Sequence, residues 1–184
     1  MRLFIAVNVD QEIKRRILEV QDRIRKEVNR GKFPPKENFH ITLVFLGETP
    51  EERLPAIKEA MIQAASTGGK PVSAFEFSFS KAGFFKRGGK ELWWLGTDTK
   101  NDRLENLQKN LTSELLARNF VFDNKPFTAH ITLGREIRSE LWPFNTENIA
   151  VPVNRLSLMQ SQHLPAAEKK SAVVYTELFG CDLG

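Results

Sequence analysis

The sequence predicts one compact unit in which strands and helices interleave, of the α/β or α+β class. Segments with the apolar spacing of strands alternate with segments spaced as helices along all 184 residues. No long linker or domain-sized change of composition interrupts them, so a single unit is expected. An internal repeat completes the pattern, because the tetrapeptide His-Ile-Thr-Leu stands at residues 40–43 and again at 130–133.

The composition is that of an ordinary folded protein. Hydrophobic residues make up 41% of the chain, and the net charge of +4 favours an anionic partner, although a lysine-rich solvated surface gives the same balance. The single cysteine, Cys181, excludes a disulfide or a cysteine-rich zinc site within one chain. No run of about 18 apolar residues predicts a membrane span, and Asp10 comes too early for a signal peptide. We expect a cytoplasmic monomer with no membrane partner.

Several helix ends and turns carry local signals. Asp10 and Thr49 can each cap a helix, and Pro50 with Glu52 completes a capping box after Thr49. Asn119 can close the helix that carries a leucine stripe. Strands are predicted at residues 3–9, 38–46, 75–85, 91–97, 128–133, 155–162 and 172–179, and helices at about 10–28, 50–66 and 104–119.

The connecting segments differ in kind. Gly88 and Gly89 predict a tight turn that joins two strands into a hairpin, whereas Pro143 and Pro152 predict an irregular segment. The first helix carries a basic run, most of which we expect on its solvated outer side. The run consists of Lys14, Arg15, Arg16, Arg23, Arg25 and Lys26.

The repeat places an imidazole beside a hydroxyl twice. In a strand, residues two apart point to the same face, so His40 lies beside Thr42 and His130 beside Thr132. The opposite faces are apolar and can anchor each strand on its core. These faces are formed by Phe39, Ile41, Leu43 and Phe45 in the first copy, and by Ala129, Ile131 and Leu133 in the second.

Two such pairs around one centre suit the opening of a cyclic phosphodiester. One imidazole can take a proton from water while the other gives one to the departing oxygen, since histidine titrates near neutral pH. Threonine hydroxyls can donate hydrogen bonds to the non-bridging oxygens. A lone histidine in a strand is more often structural, but two of the three histidines of the chain stand in matching tetrapeptides, which favours catalysis.

The chain resembles the two-histidine phosphoesterase superfamily, and within it the bacterial and archaeal RNA 2′,3′-cyclic phosphodiesterases, also described as 2′-5′ RNA ligase-like. The resemblance covers most of the chain. It rests on Arg-Leu-Phe-Ile-Ala-Val at residues 2–7, on the block from Pro35 to Gly47, and on Phe-Thr-Ala-His-Ile-Thr-Leu-Gly-Arg at residues 127–135.

The resemblance implies an α+β fold over residues 1–184, with two pseudo-symmetric αβ lobes whose antiparallel sheets flank a central groove. It implies hydrolysis of an RNA 2′,3′-cyclic phosphate end to a 2′-phosphate without metal or other cofactor, and a weak reverse 2′-5′ joining activity. His40 would be the acid for the 3′ oxygen and His130 the base for water. Arg135 would contact phosphate beside Thr42 and Thr132.

Two details depart from this picture. Ala129 stands where the family often has proline, which leaves the reacting groups intact. Strict alternation from His130 would turn Arg135 to the opposite face, so contact with phosphate requires a bend or bulge, for which Gly134 is the expected place.

Other residues have alternative interpretations. Phe84 and Phe85 could stack on a base but are more often core, and one of Trp93 and Trp94 should be buried. Lys86 and Arg87 could contact RNA or belong to a solvated turn, and His163 is expected at the surface, outside the repeat.

Other functions stay open beside the leading one. A zinc site of His40, His130 and His163 has no local chelate spacing to favour it. An RNA-end-binding module with little turnover is the alternative from another class. Within the enzymes, the alternatives are a ligase of tRNA halves, or a phosphodiesterase of small 2′-5′ oligonucleotides or ADP-ribose cyclic phosphate.

Overall fold

The computed structural model describes residues 1–122, 126–164 and 172–184, apart from the side chains of four residues within that range. Helices and strands alternate through most of the chain, and two short 3-10 turns cover Lys36–Asn38 and Glu51–Arg53. The helices are α1 (Gln11–Glu27), α2 (Leu54–Ala64) and α3 (Asp102–Ala117). The strands are β1 (Arg2–Asn8), β2 (His40–Glu48), β3 (Ser66–Thr67), β4 (Lys70–Pro71), β5 (Phe75–Arg87), β6 (Lys90–Gly96), β7 (Ile131–Ile137), β8 (Phe144–Val153), β9 (Arg155–Leu164) and β10 (Ala172–Asp182).

The larger strands form two antiparallel sheets of four. The first has the order β10-β9-β1-β2 and the second β7-β6-β5-β8, while β3 and β4 make a separate two-stranded ribbon. The predicted α+β class with antiparallel sheets is therefore confirmed. In both sheets the strand with the His-x-Thr motif lies at an edge, since β2 ends the first sheet and β7 the second.

The two halves share one connection pattern. In the first, β1 leads through α1 to β2, which pairs antiparallel with β1; in the second, β6 leads through α3 to β7, which pairs antiparallel with β6. The two edge strands contact each other between the sheets. The sequence repeat is thus a repeat of strand, helix and strand that brings both motifs to facing edges.

Local signals set the start of the first helix and the end of the third as predicted. The Asp10 carboxylate accepts a hydrogen bond from the Ile13 amide (2.8 Å), which caps α1. Asn119 adopts a left-handed conformation (φ 58°) and closes α3 by donating its amide to Leu116 O (2.9 Å). The Gly88-Gly89 turn joins β5 and β6, so the predicted hairpin is also confirmed.

The predicted cap of the second helix is wrong. Helix α2 begins at Leu54, after the 3-10 turn, and has no side-chain cap, while the Thr49 hydroxyl donates to Gly47 O (3.3 Å). The Thr49 backbone is held by Met1, with which it exchanges two hydrogen bonds of 2.8 and 2.9 Å. Thr49 therefore continues the strand ladder and cannot take the position of a helix cap.

Two strand predictions also need correction. The segment expected to be irregular is irregular over residues 138–143, which include Pro143, but it continues as β8. Strand β8 includes Pro152 because it is the outer strand of its sheet and the missing amide costs no ladder hydrogen bond there. The strand predicted at residues 128–133 is β7, which starts at Ile131 and runs to Ile137. His130 consequently lies one residue before its strand.

A buried glutamine on α1 ties the two motif strands together. Gln21 is fully buried, and its Nε2 donates to Pro34 O (2.9 Å), before β2, and to Leu133 O (2.8 Å), in β7. Its Oε1 accepts from Arg25 (3.0 Å). Since a buried carbonyl without a donor is costly, the amide fixes the first motif segment relative to the second.

We expect Gln21→Leu to lower the free energy of unfolding by about 2 to 4 kcal/mol, because the apolar side chain leaves the buried Leu133 carbonyl and the partly buried Pro34 carbonyl without these donors. Urea unfolding followed by circular dichroism measures the change. Gln63→Leu, at an exposed position of α2, is the matched control and should shift stability by less than about 0.5 kcal/mol. Equal stability of the two variants would contradict the role given to Gln21.

Candidate active site

The His40 ring is fixed on both of its nitrogens. Nδ1 lies 2.7 Å from Asn38 O, and since a carbonyl only accepts, Nδ1 carries the proton. Nε2 lies 2.9 Å from Thr42 Oγ1, whose hydroxyl donates to it when the ring is neutral. The ring packs on Phe4 and Tyr175 at centroid distances of 4.8 and 5.2 Å. The reactive nitrogen of His40 is therefore Nε2, next to the threonine of its own motif.

The second motif repeats this arrangement. His130 Nδ1 donates to Thr128 O at 2.7 Å, again the carbonyl two residues earlier in the chain. Its ring stands edge-on to Phe85 at 5.6 Å. Both motifs thus hold Nδ1 by a backbone carbonyl and direct Nε2 away from it, which is the tautomer that each imidazole needs to exchange a proton with a ligand.

A bulge in β2 reverses the predicted faces after Thr42. Ile5 pairs with Val44 and Ala6 with Thr42, so Leu43 is an extra residue in the ladder and both Leu43 and Val44 are buried. Phe45 then shares the face of Thr42 and is 48% exposed. The prediction that Phe45 is core is therefore wrong.

A bulge in β7 does the same for Arg135. Trp93 pairs with Gly134 and Trp94 with Thr132, which leaves Leu133 as the extra residue. The chain bends at the expected place, next to Gly134, and Arg135 comes to the side of the first motif. The Arg135 backbone is also held by Lys32, with which it exchanges two hydrogen bonds of 2.8 Å.

A cavity of about 310 Å³ lies on the open face of the first sheet. It brings together three of the five predicted site residues, while the described lining does not include His130 and Thr132. Thr132 lies in β7 opposite Trp94, and His130 interacts electrostatically with His40 across the two edges. The lining includes His40, Thr42, Arg135, Arg2, Ser161 and His163, with Phe4, Phe45 and Tyr175 among the aromatic residues.

Burial lowers the pKa of His40 from 6.5 to about 4. The hydrogen bond to Asn38 O opposes this shift, while the positive charges of Arg135 and Lys14 and the electrostatic interaction with His130 add to it. In the unliganded protein His40 is therefore neutral at pH 7. The same positive charges make the position attractive to an anion, whose binding would favour the protonated ring.

Lys14 acts electrostatically on His40, although it belongs to the basic run of α1 that the sequence predicts to be mostly solvated. It is 9% exposed and donates to Glu37 O (2.9 Å), just before the first motif. Burial lowers its pKa, an effect that Glu37 and Asp10 oppose. The signal was present in the sequence, because Lys14 and Gln21 fall on the stripe of α1 that also carries Ile13, Ile17 and Ile24.

An aromatic surface adjoins the second motif. Trp93 is fully buried and Trp94 half-buried, as predicted for this pair. The Trp94 ring lies against Gly83 and Gly96, where an added Cβ would come within 2.6 and 2.8 Å of it. Phe85 packs on Trp94 at 5.4 Å. The two glycines therefore allow the indole to lie flat on the sheet beside the His130 segment.

The other candidate residues lie partly at this cavity and partly away from it. His163 is exposed, as expected, but it lines the same cavity as His40. Phe84 and Phe85 are both half-buried, Lys86 is exposed, and the side chain of Arg87 lies outside the described residues. Within the described ranges, no three His, Cys, Asp or Glu side chains are grouped to hold a metal ion, and no helix is long and apolar enough to cross a membrane.

We expect His40 to titrate at about 4 in an NMR titration of histidine-labelled protein, because it is buried beside positive charges. Arg135→Gln should raise the pKa of His40, since it removes a like charge. Arg30→Gln, an exposed arginine whose charge is not among those acting on His40, should leave it unchanged. A His40 pKa near 6.5 in the unsubstituted protein would contradict the geometry described.

Comparison with known proteins agrees with the fold and with the family that the sequence resembles. A family model described as LigT like Phosphoesterase matches residues 7–93. The RNA 2′,3′-cyclic phosphodiesterase of Thermotoga maritima is 31% identical over 183 residues, which span 98% of this chain and 95% of that protein. The enzyme of the same name from Methanothermobacter thermautotrophicus is 28% identical, over 97% of this chain and 96% of that one.

Solved structures agree over the full length. A protein from Thermus thermophilus superposes with a TM-score of 0.82 at 27% identity, covering 100% of this chain and 98% of that chain. Escherichia coli LigT complexed with 3′-AMP superposes with a TM-score of 0.81 at 26% identity, covering 99% and 97%. Together with the Thermotoga relative, these matches show that the chain belongs to the LigT-like phosphoesterase family.

Proposed function

We propose that this protein hydrolyses RNA 2′,3′-cyclic phosphate ends to 2′-phosphates, without a metal, by acid and base catalysis from His40 and His130. The observation that carries the proposal is the repeated geometry in which each imidazole is held at Nδ1 by the carbonyl two residues earlier. Relatives named RNA 2′,3′-cyclic phosphodiesterase over nearly the whole length support the substrate class. Residues 1–184 would act as one bilobal domain.

The proposed reaction needs one proton donor and one proton acceptor. His130 Nε2 takes a proton from water as the water oxygen bonds to phosphorus. The bond between phosphorus and the ribose 3′ oxygen breaks, and His40 Nε2 gives its proton to that oxygen. The bond to the 2′ oxygen stays, so the product carries a 2′-phosphate and a free 3′ hydroxyl. The reverse sense would give weak 2′-5′ joining.

The other three residues stabilise the phosphate. Thr42 donates to His40 Nε2 in the unliganded protein, so its hydroxyl can turn to a non-bridging oxygen when that nitrogen is protonated. Thr132 takes the corresponding place in the second motif. Arg135 lines the cavity with His40 and Thr42 and supplies a permanent positive charge. These contacts act on charge that must be stabilised through the displacement.

The lowered pKa of His40 bears on its role as the acid. A neutral His40 cannot donate Nε2–H, but the charge of a bound cyclic phosphate opposes Arg135 and raises the pKa of the ring. Protonation of His40 would therefore accompany substrate binding. A slowly reacting RNA-end-binding module would use the same cavity, and the absence of hydrolysis despite tight binding would favour it.

We expect His40→Ala and His130→Ala each to lower kcat by a factor on the order of 10² to 10⁴ on an RNA with a 2′,3′-cyclic phosphate end. Each variant loses one of the two proton-transfer groups, and the product of residual turnover should still be the 2′-phosphate. Activity of the unsubstituted protein should be the same with and without EDTA. Chromatography of the products measures rate and regiochemistry together.

Three results would overturn this proposal: full activity of either variant, a 3′-phosphate product, or loss of activity in EDTA that a divalent ion restores. Lys109→Ala, at an exposed position of α3 away from the cavity, is the control variant and should retain full turnover on the same RNA.

The two roles can be separated with a sulfur substrate. When sulfur replaces the bridging 3′ oxygen, the leaving group departs without needing a proton. On this substrate the kcat of His40→Ala should fall less than about tenfold below that of the unsubstituted protein, whereas the kcat of His130→Ala should fall as much as on the oxygen substrate. The measurement is the ratio of kcat on the sulfur substrate to kcat on the oxygen substrate for each variant. The opposite pattern would assign His40 as the base and His130 as the acid.

A further inference from the structure

The cavity at His40 extends well beyond the groups that the proposed reaction uses. Its far part is lined by Arg2 on β1 and by Ser161 and His163 on β9. Neither histidine catalysis nor phosphate stabilisation at the cyclic end requires these three side chains. The proposed reaction therefore does not explain why these three side chains line the cavity.

Strand pairing places the three side chains on one face. Arg2 pairs with Ser161, Ser161 with Tyr175, and His163 with Val173, and residues directly opposite each other in antiparallel strands point the same way. Phe4, two residues after Arg2, packs on His40 and Tyr175 on that face. We call Arg2, Ser161 and His163 the row. The row is thus continuous with the surface that carries the first motif.

The spacing along β1 leaves room for one nucleotide between the first motif and Arg2. Ala6 pairs with Thr42, and Arg2 lies four residues earlier, which is about 13 Å of strand at 3.3 Å per residue. The Arg2 guanidinium extends back over the Phe45 ring, with its carbon 5.1 Å from the ring centroid. The charged group therefore stands closer to the motif than its backbone does, separated from it by an exposed aromatic ring.

The chemistry of the row is that of a site for an anion. Arg2 offers five N–H donors and a permanent charge, Ser161 a hydroxyl and His163 an imidazole. Among the described residues no carboxylate forms a salt bridge with Arg2, and Glu48, its partner in β2, lies 3.6 Å from the N-terminal amine instead. The donors of the row are available to a ligand that carries negative charge.

We propose that Arg2, Ser161 and His163 form a second phosphate subsite, which holds the phosphodiester on the 5′ side of the terminal nucleotide. This inference rests on the proposed function, because it takes the cyclic phosphate to lie at His40, Thr42 and Arg135. The terminal nucleoside then spans Phe45 and Tyr175, where aromatic rings can contact its base or ribose. The subsite makes an RNA end a better substrate than a free cyclic nucleotide.

The test compares three substrates with the same terminal adenosine. They are adenosine 2′,3′-cyclic monophosphate, the dinucleotide ApA with a 2′,3′-cyclic phosphate end, and that dinucleotide with a neutral methylphosphonate in place of its internucleotide phosphate. We expect Arg2→Met to lower the ratio of kcat/KM for the charged dinucleotide over the mononucleotide roughly three- to tenfold, mainly through KM. Arg2→Lys should recover part of that ratio, since it keeps the charge.

Two further readouts separate a phosphate contact from a structural effect. The methylphosphonate dinucleotide should lose the advantage over the mononucleotide in the unsubstituted protein, and Arg2→Met should not lower its ratio further. The slope of log kcat/KM against log salt for the charged dinucleotide should become less steep by about 0.7 in Arg2→Met. Lys109→Met, at an exposed position on α3, is the matched control and should change neither quantity.

Distinct outcomes overturn the two proposals. An unchanged substrate ratio in Arg2→Met, or a lower ratio for charged and methylphosphonate dinucleotides alike, would end the subsite proposal and leave the catalytic one intact. Failure of the unsubstituted protein to open any of the three cyclic phosphates would end the proposed function itself. If Arg2→Met does not fold by circular dichroism, Arg2→Gln and the methylphosphonate comparison in the unsubstituted protein decide the question.

Discussion

The side-chain amide of Gln21 lies in the core, and both of its N–H bonds go to backbone carbonyls that belong to different halves of the molecule. Pro34 O leads into the first motif, and Leu133 O is the carbonyl of the bulged residue in the second. A bulged residue has lost its ladder partner, so a donor from outside the sheet has to satisfy it. Helix α1 supplies that donor, and the facing of the two edge strands depends on it.

Bulges decide which side chains reach the cavity. Successive side chains of a strand point to opposite faces, so one extra residue exchanges the faces of all residues beyond it. In β7 the glycine at 134 gave a local signal, so the turn of Arg135 toward the first motif could be expected. In β2 the extra residue is Leu43, and the next residue is Val44. Both are apolar and buried, so the order of apolar and polar residues does not reveal the bulge. For that reason alternation predicts Phe45 in the core, whereas its side chain is 48% exposed.

Features that local chemistry determines can be predicted from the sequence, whereas those that strand pairing assembles cannot. The Asp10 cap, the leucine stripe of α3 and the repeated motif act through neighbours in the chain. Thr49 and Pro152 differ, because hydrogen bonds to Met1 hold the first just after the end of β2 and the edge of the second sheet tolerates the other. Arg2 and Ser161 likewise become neighbours only through the pairing of β1 with β9. No spacing rule within one segment could have placed them in the cavity.

The two halves match in their strands but not in their helices. The buried side of α1 includes Lys14 and Gln21, whereas that of α3, its counterpart in the second half, consists of leucines. Two identical halves would give both imidazoles the same surroundings, and such a site could release either ribose oxygen. Lys14 beside the first motif breaks that equivalence. The unequal helices therefore give different electrostatic surroundings to the two imidazoles, to which the proposed chemistry assigns different roles.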